Sequence, residues 1–155
     1  MKLLNQFLEQ KVTSYHEKFD SWQDALTACG QPLVQQGFIT EVYIDAIIEC
    51  VNKYGPYIVI APDIAMPHST ENAEGVIKTG IGFMKVETPV VFDADDREKD
   101  ARLFFTLVSS NHDEHLNNMV ELSNMLTDDD LVLGLLNVKN DEDLAQLAQK
   151  YNKGE

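Results

Sequence analysis

Apolar side chains in the first third of the chain recur at the spacing of an α-helix. Residues 21–36 carry one apolar stripe, with Ser21 as a candidate N-cap and Gly37 closing its end. A second stripe follows Thr40, another candidate N-cap, and ends near Gly55. The pattern predicts two consecutive helices that pair as a hairpin.

The middle of the chain has shorter, β-tolerant runs bounded by turn residues. These runs predict strands over residues 12–17, 57–60, 80–86 and 103–108. We interpret residues 61–69 as a loop, residues 88–92 as a short extra strand and the acidic stretch 93–100 as a solvated turn. The centre of the chain is therefore expected to supply a sheet.

The last third of the chain returns to helical spacing from about Asn111. The apolar residues that share one face of this helix are Leu116, Met119, Leu122, Met125 and Leu126. Two shorter helices are predicted over residues 128–136 and 141–151. The order of helices, strands and helices predicts a layered α/β domain, and 155 residues with 44% apolar content suffice for one domain with its own core.

The charge of the chain excludes two classes of partner. Its 26 acidic and 12 basic side chains leave a formal charge of −14, which repels phosphate backbones and anionic lipids. No run reaches the ~18–20 apolar residues of a membrane span, and Asn5 interrupts the apolar start. Cys29 and Cys50 have no chelating or disulfide spacing. We expect a soluble cytoplasmic protein that neither binds nucleic acid nor inserts into the membrane.

Histidines are the side chains that titrate near neutral pH without help, and the chain has four. His68 follows Pro67, which stiffens the loop that presents the imidazole. Because reactive groups concentrate on loops, His68 is a candidate functional residue, with an ordinary surface histidine as the alternative. His16, in the first predicted strand, is expected to be structural.

His112 and His115 stand three residues apart at the start of the predicted C-terminal helix. They could ligate a metal from one helix face, although an HExxH pattern and a third ligand are missing. With Asn111 as N-cap and Glu114 completing a capping box, His115 instead lies in the first turn, where free N–H groups favour an anion. Such a position suits a phosphoryl group held by a nearby imidazole.

One segment in the middle of the chain carries a family resemblance. Residues 55–68 read GPYIVIAPDIAMPH, which strongly resembles the IIA proteins of the bacterial sugar phosphotransferase system (PTS), in the mannitol/fructose superfamily and closest to its ascorbate-type branch. Further matching stretches are residues 22–25, 37–43 and 114–116, with Leu122, Met125 and Leu126. The resemblance implies one EIIA domain over residues 1–155 with a three-layer α/β fold, in which helices cover both faces of a mixed five-stranded sheet.

The resemblance also implies a phosphohistidine carrier. His68 would accept a phosphoryl group from the histidine phosphocarrier protein HPr and pass it to a IIB component, for uptake of a sugar or a related compound such as ascorbate. His115 matches the family's second active-site histidine, and no cofactor or metal is implied. Cys50 stands where many members of the superfamily have an arginine, a departure shared with the ascorbate-like branch.

Two other functions stay open at this point. One is a regulatory IIA paralogue that binds a non-transport target according to its phosphorylation state. The other is a metal-dependent hydrolase built on His112 and His115. For the carrier, we expect residues 64–67 to form an apolar contact surface around His68, with Met66 in the contact and the acidic stretches 93–100, 128–130 and 141–143 away from it.

Overall fold

The computed structural model describes residues 2–69 and 74–152, and in these residues the chain forms six α-helices, five strands and one 3₁₀ helix. The α-helices are α1 (Lys2–Gln10), α2 (Trp22–Gln35), α3 (Glu41–Tyr54), α4 (His112–Leu126), α5 (Asp129–Asn137) and α6 (Asp141–Asn152). The strands are β1 (Thr13–His16), β2 (Val59–Ala61), β3 (Asp63–Ala65), β4 (Gly80–Val90) and β5 (Ala101–Val108). The 3₁₀ helix is Arg97–Lys99.

The strands form one mixed sheet in the order β1-β4-β5-β3-β2. The central pair, β4 and β5, is antiparallel, whereas β1 runs parallel to β4 and β3 runs parallel to β5. The hairpin of β2 and β3 closes one edge. This arrangement confirms the predicted mixed five-stranded sheet.

Helices cover both faces of the sheet, as residues that alternate along β4 demonstrate. Phe83 stacks on Phe7 of α1, with ring centroids 5.7 Å apart. Its neighbour Gly82 points to the opposite face, where a Cβ would lie only 3.0 Å from the side chain of Leu33 in α2. Because successive residues of a strand face opposite sides, α1 and α2 belong to different layers. The three-layer prediction is therefore confirmed.

Several elements differ from the sequence-based expectation. The predicted loop 61–69 contains β3, which is three residues long and thus too short to show an alternating pattern. Asp63 has a φ of 70°, and this positive value turns the chain sharply between β2 and β3. The strand predicted over 57–60 begins only at Val59. Helix α1 was not predicted, although its residues Leu3, Leu4 and Phe7 are buried.

Strand β4 combines two predicted strands into one. It runs from Gly80 to Val90, across the break that we expected near residue 87. Its pairing with β5 becomes irregular between Lys85 and Val90, where Pro89 has no N–H to donate. The acidic stretch that follows β4 includes the 3₁₀ helix Arg97–Lys99 and is thus more ordered than a simple turn.

An ion-pair cluster lies in the half of β4 that is remote from Gly80. The side chain of Lys85 is only 1% exposed, and its ammonium group pairs with the carboxylate of Glu87. Arg102 lies 3.7 Å from the same carboxylate and also donates to the backbone oxygens of Val86 and Leu136. The hydrogen bond from Lys85 lowers the pKa of Glu87 below its ordinary value. The cluster therefore keeps Glu87 ionised beside the buried lysine.

Candidate active site

The loop that carries His68 is attached on both of its sides, to Ile58 just before β2 and to Leu107 in β5. The N–H of Met66 donates to the oxygen of Ile58 at 2.8 Å. The N–H of Leu107, near the end of β5, donates to the oxygen of Pro67 at 2.9 Å. Since β3 is parallel to β5, the two strands end on the same side of the sheet, which we call the carboxyl end. The loop leaves β3 at this carboxyl end. The loop is thus tied to the sheet as well as stiffened by proline.

The imidazole of His68 has one of its two nitrogens engaged inside the loop. Nδ1 lies 2.6 Å from the backbone oxygen of Met66. A carbonyl oxygen accepts hydrogen bonds and cannot donate them, so Nδ1 carries the hydrogen in this contact. In the neutral imidazole the lone pair is then on Nε2. The ring is half-buried, and the geometry makes Nε2 its nucleophilic atom.

Two tyrosines hold the backbone on the C-terminal side of His68. The hydroxyl of Tyr57 donates to the backbone oxygen of His68, and the Tyr57 ring meets the imidazole edge-on at 89°, with centroids 5.2 Å apart. The hydroxyl of Tyr43 donates to the oxygen of Leu107 at 2.8 Å and accepts from the N–H of Ser69 at 3.3 Å. Burial raises the pKa of both phenols above the ordinary value, so both remain protonated donors near neutral pH.

Cys50 lies beside this loop. It belongs to α3, is 3% exposed, and its Sγ lies 3.6 Å from Oγ of Ser69. The neighbouring thiol also contributes to the raised pKa of Tyr57, after the larger effect of burial. Position 50 therefore adjoins the His68 loop, and in this chain it places a cysteine side chain there.

Helix α4 begins at the same carboxyl end of the sheet, shortly after β5. Oδ1 of Asn111 accepts from the N–H of Glu114 at 3.1 Å, which confirms the predicted N-cap. Thr79 anchors the cap, since its hydroxyl oxygen accepts from the N–H groups of Ser110 and Asn111. His115 is half-buried in the first turn. His68 and His115 thus both lie at the carboxyl end of the sheet, where β5 leads into α4.

The other two histidines, His112 and His16, lie on different elements. The backbone of His112 starts α4, and its side chain lies outside the described part of the structure. His16 is on the edge strand β1, packs on the ring of Phe19 at 4.8 Å and has a pKa lowered by burial. Within residues 2–69 and 74–152, no group of three or more His, Cys, Asp or Glu side chains could hold a metal ion.

The contact surface predicted at residues 64–67 is wrong. Ile64, Ala65 and Met66 are only 5%, 0% and 6% exposed, and Pro67 is also buried. Their side chains join the core because β3 is an inner strand of the sheet. Among the described residues at the carboxyl end of the sheet, the exposed aliphatic side chains include Val42, Ile77 and Leu116. The acidic stretch 93–100 lies at the opposite end of the β4–β5 pair, as predicted.

Sequence reasoning missed the two tyrosines that hold the loop. Tyr43 belongs to the apolar stripe of α3 and Tyr57 to a short β-tolerant run, so both were interpreted as packing residues. Their bonds join positions 64 and 11 residues apart. A tyrosine in an otherwise aliphatic stripe is a weak signal for such a role, since its buried hydroxyl needs a partner.

Known proteins share both the sequence and the fold. Residues 6–151 match the family described as phosphoenolpyruvate-dependent sugar phosphotransferase system, EIIA 2. The ascorbate-specific PTS system EIIA component of Escherichia coli is 29% identical over 153 residues, covering 98% of each chain. The solution structure of the mannitol-specific cryptic phosphotransferase enzyme IIA from E. coli has a TM-score of 0.79 and 30% identity, covering 95% of this chain and 97% of that one.

A third comparison concerns a complex. Enzyme IIA for mannitol from E. coli, in a structure with phosphorylated enzyme IIB, has a TM-score of 0.74 and 23% identity, covering 88% of this chain and 93% of that one. At this identity the likeness establishes the shared fold.

No helix in the described ranges is both long and apolar enough to cross a membrane.

The match over residues 6–151 identifies the chain as a member of the EIIA type 2 family of the sugar phosphotransferase system. The expected resemblance is therefore confirmed. Proteins of this family are phosphotransferase components, and phosphoryl transfer is accordingly the general chemistry of this chain.

Proposed function

We propose that this chain is a phosphohistidine carrier, which accepts a phosphoryl group from phosphorylated HPr on His68 and passes it to a IIB component. The observation that supports this most directly is the contact of His68 Nδ1 with the oxygen of Met66, at 2.6 Å. It directs the free lone pair of the imidazole to Nε2, on a loop held to the end of the sheet.

The transfer is a displacement at phosphorus. The Nε2 lone pair of His68 forms the new N–P bond, while the N–P bond of the donor histidine breaks and its electron pair stays on the donor nitrogen. The His68 ring gains positive charge as this bond forms. The Met66 oxygen accepts a hydrogen bond from Nδ1–H, and this bond becomes stronger as the ring gains charge. Transfer to IIB reverses these steps with a nucleophile of the partner.

His115 has a second role in this proposal. It lies in the first turn of α4, where backbone N–H groups have no partner inside the helix and the helix dipole favours negative charge. We assign to His115 and this helix start the stabilisation of charge on the phosphoryl oxygens during transfer. No metal or cofactor is needed for this assignment.

The compound served by the carrier is proposed from the relatives. They are specific for mannitol and ascorbate, so we propose uptake of a sugar or a related compound such as ascorbate. The chain would act in the cytoplasm between HPr and IIB.

The test is phosphorylation with purified components. Incubation with phosphoenolpyruvate, enzyme I and HPr should give an adduct that is labile in acid and stable in base. His68→Ala should abolish the label, whereas His16→Ala, on the edge strand β1, should be labelled like the unaltered protein. Equal labelling of His68→Ala would overturn the assignment. Subsequent loss of the label to a IIB protein would distinguish a transport carrier from a regulatory paralogue that keeps its phosphoryl group.

A further inference from the structure

We propose that Tyr57 is a positioning residue for phosphoryl transfer, which keeps the His68 imidazole in the orientation that leaves Nε2 available. The inference rests on the proposed function of His68. Tyr57 does not need to touch the phosphoryl group for this role, because it acts through His68.

The contacts of Tyr57 with His68 are of two kinds. Its hydroxyl donates to the backbone oxygen of His68, which holds the peptide group that follows the histidine. Its ring lies edge-on to the imidazole, at a centroid distance of 5.2 Å and an angle of 89°. The edge-on arrangement is favourable for aromatic pairs. It restricts rotation of the imidazole about the Cβ–Cγ bond of His68. One side chain thus restrains both the backbone and the ring of His68.

The orientation of His68 needs such a restraint because its own hydrogen bond is very local. Nδ1 bonds to the oxygen of Met66, only two residues earlier in the chain. The bond forms only when the Met66 oxygen and the His68 side chain keep their relative position. Met66 and Pro67 are held by Ile58 and Leu107, so the preceding peptides are fixed. Tyr57 holds the peptide that follows His68 and completes the set.

The environment of Tyr57 keeps its hydroxyl a donor. Burial raises the pKa of the phenol above its ordinary value, and the neighbouring Cys50 thiol raises it further. A protonated phenol can donate to the His68 oxygen at any pH at which an imidazole can act as a nucleophile. Cys50, at the superfamily position that often carries an arginine, therefore lies beside an uncharged donor.

The experiment compares Tyr57→Phe with Tyr15→Phe. Both tyrosines are half-buried and hydrogen-bonded through the hydroxyl, but the Tyr15 hydroxyl donates to Asp141 and its ring packs on Phe83. Two quantities are measured: the rate constant and the KM for transfer from phosphorylated HPr, and the ¹⁵N shifts of the His68 ring, which report which nitrogen carries the hydrogen.

For Tyr57→Phe we expect the transfer rate constant to fall about fivefold, the factor that corresponds to one net hydrogen bond, with the KM for the donor unchanged. The ¹⁵N shifts should move from the Nδ1–H tautomer towards a mixture. Tyr57→Leu, which also removes the ring contact, should have larger effects, and Tyr15→Phe should have neither. An unaltered rate and tautomer in Tyr57→Phe, or the same changes in Tyr15→Phe, would overturn the proposal.

The tautomer measurement also separates this proposal from the proposed function. It needs no phosphoryl donor, so it tests the restraint on His68 directly. If the unaltered protein were not phosphorylated on His68 but Tyr57→Phe still changed the tautomer, the carrier function would be wrong and the positioning contact correct. If His68 were phosphorylated and Tyr57→Phe changed nothing, the positioning role would be wrong and the carrier function correct.

Discussion

The two halves of strand β4 border regions that hold polar groups in opposite ways. Near Gly80, the His68 loop is held by neutral groups: backbone N–H donors, the Tyr57 hydroxyl as a donor, and the Tyr43 hydroxyl, which accepts from Ser69. In the remote half, the buried Lys85 pairs with the ionised Glu87, which Arg102 also approaches. Neutral hydrogen-bonding groups hold a backbone without adding charge. An ion pair instead offsets the desolvation cost of a charge that is already buried.

The difference follows from what each region must accommodate. In the proposed function, a phosphoryl group on His68 would bring roughly two negative charges, and a carboxylate fixed beside the loop would repel it. The ion-pair cluster faces no such arrival and can include Glu87 at little cost. A chain with a net charge of −14 thus keeps an acidic group in its structural cluster and ties its reactive loop with uncharged groups.

The largest effect on transfer, apart from loss of His68 itself, is expected for His115→Ala. If the helix start and His115 stabilise the phosphoryl oxygens, the variant should still be phosphorylated on His68 but should exchange the group roughly 10²–10³-fold more slowly. Rapid-quench measurement of transfer to the cognate IIB checks this. Transfer at the unaltered rate would show that His115 has no part in the reaction.

A smaller effect is expected from the exposed aliphatic residues near His68. Ile77 is 56% exposed and lies three residues before β4, whereas Leu133, 60% exposed, is on α5, whose end contacts Arg102. A phosphoryl donor must cover the surface around His68 to reach bonding distance. Ile77→Asp should therefore raise the KM for phosphorylated HPr about tenfold, and Leu133→Asp should leave it unchanged.

The variant Ile77→Asn separates the loss of apolar contact from the added negative charge. An intermediate increase in KM is expected for it, since it removes the contact without the charge. Equal effects of Ile77→Asp and Leu133→Asp would mean that the carrier does not use this surface. All three variants should unfold at similar temperatures, because each position is exposed.

The smallest effect on transfer is expected for Glu87→Gln, which should change stability instead. Loss of the carboxylate leaves Lys85, 1% exposed, without its ionised partner, and should lower the free energy of unfolding by about 2–3 kcal/mol. We take less than the full value for a buried pair because Glu87 is 31% exposed. Urea unfolding measures the loss, and the transfer rate of the folded variant should equal that of the unaltered protein.

The difference in free energy of unfolding between the unaltered protein and Glu87→Gln should depend on pH. The hydrogen bond from Lys85 lowers the pKa of Glu87 in the folded state, so ionised Glu87 stabilises the fold above its unfolded pKa. That contribution is lost as the pH falls through the lowered pKa. Urea midpoints should therefore differ steadily near neutral pH and converge in acid. A difference that grows as the pH falls would contradict the role of Glu87.

Local features of the fold were predictable because local sequence determines them. The caps by Ser21 and Asn111 depend on residues three positions later, and both were observed as expected. Thr40 was also a reasonable cap, yet its side chain makes no capping bond. Its N–H donates to the backbone oxygen of Gly75, a residue that no short-range pattern connects to it.

By itself, the sequence determined the candidate residues His68 and His115, the acidic composition, and most of the helices and strands, but not α1 or β3. It could do so because a proline, a helix cap and an apolar period act within a few residues. Only the tertiary structure decided that Met66 is buried, that Nδ1 of His68 is engaged, and that Tyr57 holds the loop. These depend on which strand lies beside β3, and strand pairing joins residues far apart in the chain.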